Sequence, residues 1–217
     1  MKGQFLNKAF HTLTEAFQNC LKRFPTTVCF VLALTAYLAY LVSTEMDDEE
    51  KLTLVLGYYF SVGTLLSLTL HLWSEEIKNR IKEISVHIVM HVLLIADAVY
   101  LYSLSPERSL TEISIAHGAA ILALWLSVFF LSFTKEKNDI PSWNFASYTV
   151  GAFVTANVVG LIMSGGISLL VFSLHQLFDV DVSWKCYLYI LVVCSVLLPM
   201  LLFLGMLPKN KLKHNQE

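Results

Sequence analysis

Hydrophobic and polar positions along this chain fall into long unbroken apolar runs separated by short polar connections. Six runs are long enough to cross the hydrocarbon core of a bilayer, which is about 30 Å thick and needs about 20 mostly apolar residues per helix. They cover residues 24–43, 52–73, 84–104, 113–133, 147–170 and 187–207. The fifth run stays apolar through VFSLHQLF as far as Phe178. It therefore predicts either a strongly tilted helix or a turn along the interface, with Gly165 and Gly166 as the bend. Strands are a poor alternative, because barrel strands read as alternating segments of about ten residues. The connections TEMDDEEK, SEEIKNRIKE, SPERSLTE, TKEKNDIPSWNFA and DVDVSWK are short enough to make successive helices antiparallel neighbours. No internal repeat supports an inverted-repeat transporter. The expected fold class is all-α, a polytopic membrane bundle of six transmembrane helices.

Residues 1–23 follow a different pattern. Phe5, Leu6, Ala9, Phe10, Leu13, Phe17 and Leu21 recur at helical spacing among Lys8, Thr12, Glu15, Asn19 and Lys22. This predicts an amphipathic helix on the headgroup layer, ending where Pro25 opens the first span. A cleaved secretory signal does not fit, since VSTEM offers no small-x-small site after a twenty-residue apolar run. Residues 208–217 read as a basic tail.

Composition agrees with the pattern. Of 217 residues, 56% are hydrophobic and 15% charged, against about 25% charged in soluble domains. A formal net charge of -2 excludes a broad basic surface for nucleic acid. The placement of basic residues sets the orientation. Lys2, Lys8, Lys22, Arg23, Lys78, Arg80, Lys82, Lys135, Lys137, Lys209, Lys211 and Lys213 fall on one side, and only Lys51, Arg108 and Lys185 on the other. Both termini are expected in the cytoplasm. The outer loops are acidic, with Glu45, Asp47, Asp48, Glu49 and Glu50 in the first. They read as solvated loops, since no Asp-x-Asp-x-Asp-Gly calcium pattern occurs.

Ionisable residues within spans are costly and are the first candidates for chemistry. His87 and His91 are spaced i,i+4 on the third span, and His71 ends the second span at a similar depth. Together they could hold a divalent metal or relay protons; alternatively, each hydrogen-bonds a neighbouring helix or a headgroup. Asp97 lies about 10 Å, and His117 about 6 Å, from the outer ends of their spans at 1.5 Å per residue. That makes an Asp97–His117 hydrogen bond available, with a protonated Asp97 or a water-filled vestibule as alternatives. On the fifth span Ala152, Ala156, Gly160, Ser164 and Ser168 put a small residue at every fourth position, a stripe suited to close helix packing. Asn157 lies beside it and could bond across it. Pro199, in the middle of the last span, predicts a kink. Cys20, Cys29, Cys186 and Cys194 contain no CxxC pair and read as small apolar residues.

The last third carries a resemblance. Trp143 and Asn144 open it, followed by a long glycine-bearing helix, a Leu-Phe-x-x-Asp-like turn after Gln176, and a proline-kinked helix ending Phe-Leu-Gly-x-Leu-Pro. With the Lys-Arg-Phe-Pro before the first span, this resembles an uncharacterised bacterial integral-membrane family, domain of unknown function 4153. The resemblance implies a bacterial inner-membrane protein and assigns no catalytic residues. Members continue beyond this Leu-Pro, so the chain is expected to be a short member or the amino-terminal region. Three functions follow in order: a non-enzymatic accessory or scaffold protein, docking a second copy or another membrane protein through the fifth span; a transporter or channel component using Asp97, Asn157 or the histidines; and a metalloenzyme at His71, His87 and His91. No HExxH motif or nucleophile elbow is present.

Overall fold

The computed structural model describes residues 20–44, 50–74, 80–104, 106–130 and 140–207. These residues are almost wholly helical, with no strand among them. The fold is an all-α bundle. Its elements are α1 (Pro25–Ser43), α2 (Glu50–Ser74), α3 (Arg80–Ser103), α4 (Pro106–Phe130), α5 (Ile140–Phe178), α6 (Trp184–Val192), a π-helical turn (Val193–Leu197) and α7 (Leu198–Met206). The last three are one helical rod with an interruption. Five rods are long and apolar enough to cross a membrane, and α4 carries a shorter apolar stretch, Ser114–Val128. This is a multi-pass membrane protein. The amphipathic helix expected over residues 1–23 lies outside the described residues except for 20–23, which are helical. The basic tail also lies outside them.

Packing follows a ring. α2 packs against α1 and α4, α4 against α5, α5 against α7 and the π turn, and the π turn with α6 against α1. α3 stands outside, held on α2 and more lightly on α4. α2 is accordingly the most buried helix and α3 one of the least. One apolar core joins Phe24, Val28, Leu68, Leu72, Val128, Phe145, Ala152, Ala156, Phe203 and Leu204. A second joins α2 to α3 and α4 through Val55, Tyr58, Val62, Leu66, Leu94 and Leu101.

Cations hold the ends. The last carbonyls of a helix lack intrahelical donors and carry the negative end of its dipole. Arg23 Nη1 donates to the Leu207 carbonyl (2.9 Å), closing the end of α7. Lys185 Nζ donates to the Ser43 carbonyl at the end of α1 (3.2 Å), and Lys51 Nζ to the Leu104 carbonyl just after α3. Two of the three basic residues that break the charge asymmetry are thus occupied as helix caps.

One expectation, the bend at Gly165 and Gly166, is corrected here, and another, the kink at Pro199, takes a specific form. α5 runs through Gly165 and Gly166 without interruption to Phe178, 39 residues in all. At 1.5 Å per residue that is about 58 Å, so the rod outreaches a bilayer core. No neighbour approaches either glycine within 4 Å of a built Cβ, so nothing forces a bend. The rod ends instead at Asp179, whose φ of 51° is left-handed, a conformation Asp tolerates better than most residues. The kink at Pro199 takes the form of the π turn. The Leu198 N–H bonds the Val193 carbonyl, five residues back, and in that register Pro199 has no N–H for the Cys194 carbonyl.

A candidate ligand cavity at mid-depth

The ring of helices borders a partly open cavity of about 300 Å³. Its walls are Leu34 of α1; Ser61, Thr64 and Leu65 of α2; Trp125 of α4; Phe153 and Asn157 of α5; Ser195 and Val196 of the π turn; and Pro199, Met200 and Phe203 of α7. Among the described residues, none from α3 and no charged side chain lines it. A narrow apolar extension of about 20 Å³ shares Thr64, Leu65, Trp125 and Phe153 and reaches Thr27 and Leu68. Leu34, Ser61, Trp125, Asn157 and Ser195 each lie about 12–15 Å from the nearer end of their expected spans, at 1.5 Å per residue. The cavity therefore sits near the middle of the bilayer.

Three of its polar side chains keep hydrogen-bonding capacity in reserve. Several hydroxyls elsewhere in the spans fold back on the carbonyl four residues earlier, as in Thr35 to Val31, Thr69 to Leu65 and Ser127 to Ala123, whereas those of Thr27 and Thr149 are buried without a partner among the described residues. Thr64 does the same with Phe60. Ser61 and Ser195 make no hydrogen bond among the described residues. Asn157 spends one amide N–H on the Phe153 carbonyl (2.8 Å), and its carboxamide oxygen has no partner among the described residues. In an apolar medium an unmet hydroxyl or amide costs about 1–3 kcal/mol, so three in one cavity are a standing demand for a polar guest.

The break in the last rod forms part of the wall. Gly160 allows α5 to approach it closely: a Cβ there would stand 2.5 Å from both the Cys194 carbonyl oxygen and Pro199 Cγ. The rest of the stripe is buried on the same face, with Ala152 at 1% and Ala156 at 0% exposure and Ser164 also buried, while Ser168 is half-buried. α5 has its heaviest packing against α7 and the π turn. The stripe therefore receives a helix of its own chain.

Asp97 finds a different partner from the one expected. Tyr58 Oη of α2 donates to Asp97 Oδ2 at 2.6 Å, and Asp97 has no other polar contact among the described residues. His117 instead meets the Tyr58 ring edge-on, with centroids 4.2 Å apart. Tyr58 links the two groups. It was findable, since it lies about 9 Å from the outer end of its span, the depth of Asp97.

The three histidines do not form a metal site, and that expectation is corrected. Among the described residues no group of three His, Cys, Asp or Glu side chains could hold a metal ion. His91 Nδ1 donates to the His87 carbonyl (2.8 Å), so its other nitrogen accepts from Ser67 Oγ (3.0 Å) when the ring is neutral. Both nitrogens are committed. The His87 and His91 rings stack at 6.2 Å, whereas His71 lies against Phe24 at 4.9 Å. Glu75 and Glu76 lie outside the described residues.

The four cysteines are free thiols. Cys20, at the end of the first apolar core, is buried beside Arg23; burial pushes its thiol up to about 11, against a smaller opposing pull from the Arg23 charge.

Comparison with known proteins finds no matching family model, no similar curated protein and no similar solved structure.

Proposed function

We propose that this chain is a six-span transporter-type protein of a bacterial cytoplasmic membrane, with both termini inside, that binds an uncharged small molecule in its mid-depth cavity. One observation carries the reading: the hydroxyls of Ser61 and Ser195 and the carboxamide oxygen of Asn157 line an uncharged cavity at mid-depth without partners among the described residues. Binding at the midplane beside an interrupted helix is the arrangement of many transporters, and the π turn with Pro199 supplies the interruption. The competing scaffold reading drew on the small-residue stripe, and that face is filled by α7. The resemblance to domain of unknown function 4153 rests on the quoted residues alone and assigns none of them a role. The basic asymmetry supports the orientation, and reporters fused after Asp48 or Asp181 that read as cytoplasmic would refute it.

The test of the cavity is its access to small polar reagents. With the four native cysteines replaced by Ala, Ser61→Cys, Ser195→Cys and Asn157→Cys should react with a small membrane-permeant methanethiosulfonate, because thiolate formation needs a polar surround. Leu122→Cys and Val158→Cys, on exposed apolar faces, should stay inert. Equal inertness of all five would overturn the proposal.

A further inference from the structure

The chemistry of the cavity wall narrows the ligand class, resting on the cavity reading above. Three aromatic rings run in series along one side. Trp125 meets Phe153 edge-on at 4.5 Å and 86°, and Phe153 meets Phe203 at 5.8 Å and 88°. Such a wall offers a face or an edge to a flat ring, the geometries that aromatic pairs prefer. The polar groups with capacity to spare are three donors, the hydroxyls of Ser61 and Ser195 and the second amide N–H of Asn157, beside one carboxamide acceptor, the Asn157 oxygen. A guest that brings acceptors therefore meets the larger share of them. It must also be uncharged, because no side chain lining the cavity can balance a charge and an unbalanced one is costly at this depth.

Size sets the next limit. A cavity of about 150 Å³ accepts benzene, so about 300 Å³ suits a substituted single ring or a fused pair of rings. A bare hydrocarbon tail would fill the volume but leave three polar groups unpaired. A sugar or peptide would bring more polar groups than the wall can meet. We propose that the cavity takes the ring of a membrane-soluble quinone: flat, uncharged, stacked on the Trp125–Phe153–Phe203 wall, its carbonyl oxygens accepting from Ser61, Ser195 and Asn157.

The experiment uses the full chain in lipid nanodiscs, with Trp73, Trp143 and Trp184 replaced by Phe so that Trp125 alone fluoresces. The probe is a naphthoquinone methylated at both free quinone-ring carbons, which blocks addition to thiols. Saturable quenching of Trp125 is expected. Ser195→Ala, a mild change, should weaken it by about fivefold, as for one lost hydrogen bond. Asn157→Leu should abolish it, and Asp97→Asn, outside the cavity, should leave it unchanged. Quenching that rises linearly and is identical in the Ser195→Ala and Asn157→Leu variants would be collision in the lipid phase and would overturn the proposal. Equal displacement of the probe by a decahydronaphthol would also overturn it while leaving a ligand-binding cavity in place. Failure of the cavity itself has its own signature, the inert cysteines described above.

Discussion

Gly160→Ala tests how the last rod is seated against α5. The added methyl would stand 2.5 Å from the Cys194 carbonyl oxygen and 2.5 Å from Pro199 Cγ. Neither is the far end of a flexible side chain: one is backbone in the π turn, the other a ring that fixes it. The helices must separate, which loosens Ala152 and Ala156 against their neighbours in the core. Overpacking costs about 1–3 kcal/mol, and rigid partners place this case at the upper end. Alanine recovers about 0.8–1.0 kcal/mol of helix propensity over glycine, leaving a net loss of about 2 kcal/mol. Gly165→Ala and Gly166→Ala meet nothing within 4 Å and should gain up to about 1 kcal/mol each. Variants five or six residues apart on one helix should therefore differ by about 3 kcal/mol. Equilibrium unfolding in mixed micelles, followed by helicity, measures this. Equal stabilities for Gly160→Ala and Gly165→Ala would refute the close approach.

Two further outcomes follow from other contacts. Tyr58→Phe and Asp97→Leu should each destabilise, while the double variant should lose less than their sum, with a coupling of about 0.5–1.5 kcal/mol for one hydrogen bond; strict additivity in the same unfolding assay would show that the pair does not interact. Cys20 should label slowly with a maleimide in the folded protein, since raising a thiol from 9.0 to about 11 cuts its thiolate fraction at neutral pH by about 100-fold. Its labelling rate, followed by mass spectrometry, should climb through alkaline pH as the proton is lost, and a rate at neutral pH matching the unfolded chain would contradict the burial.

Hydropathy made the rods legible because a bilayer enforces one helix per apolar run. It did not decide where α5 ends, since helix continuity depends on the backbone, and the chain between Gly166 and Phe178 contains no proline. Residue spacing also marked Gly160, Pro199 and Asn157 singly. What it could not supply was their meeting, which depends on α5 turning its small face to α7. Ser61 and Ser195 carried no signal at all. Serine is common in spans, and these two come from the second and last rods, brought together only when the ring closes through α1, α4 and α5. The partner of Asp97 was missed for a related reason: depth can be counted along a helix, but the rotation that puts Tyr58 rather than His117 against the carboxylate cannot.

The placement of α3 changes what its ionisable residues are for. A charged or imidazole side chain inside a span is a functional candidate by default, and α3 carries His87, His91 and Asp97. Yet α3 stands outside the ring and none of its residues lines the cavity. Apolar contact alone holds helices together weakly in lipid, because the surrounding tails are as apolar as the side chains, so hydrogen bonds between spans acquire weight. α3 is in the position that needs them most. It is among the least buried of the spans, and two of its polar contacts, Asp97 with Tyr58 and His91 with Ser67, reach α2 and are separated along α3 by six residues. Two such points fix both the register and the rotation of a rod against its neighbour. Asp97 and His91 thus fasten α3 to α2, and the demand for a ligand falls on uncharged groups, Ser61, Ser195 and Asn157, on the other helices.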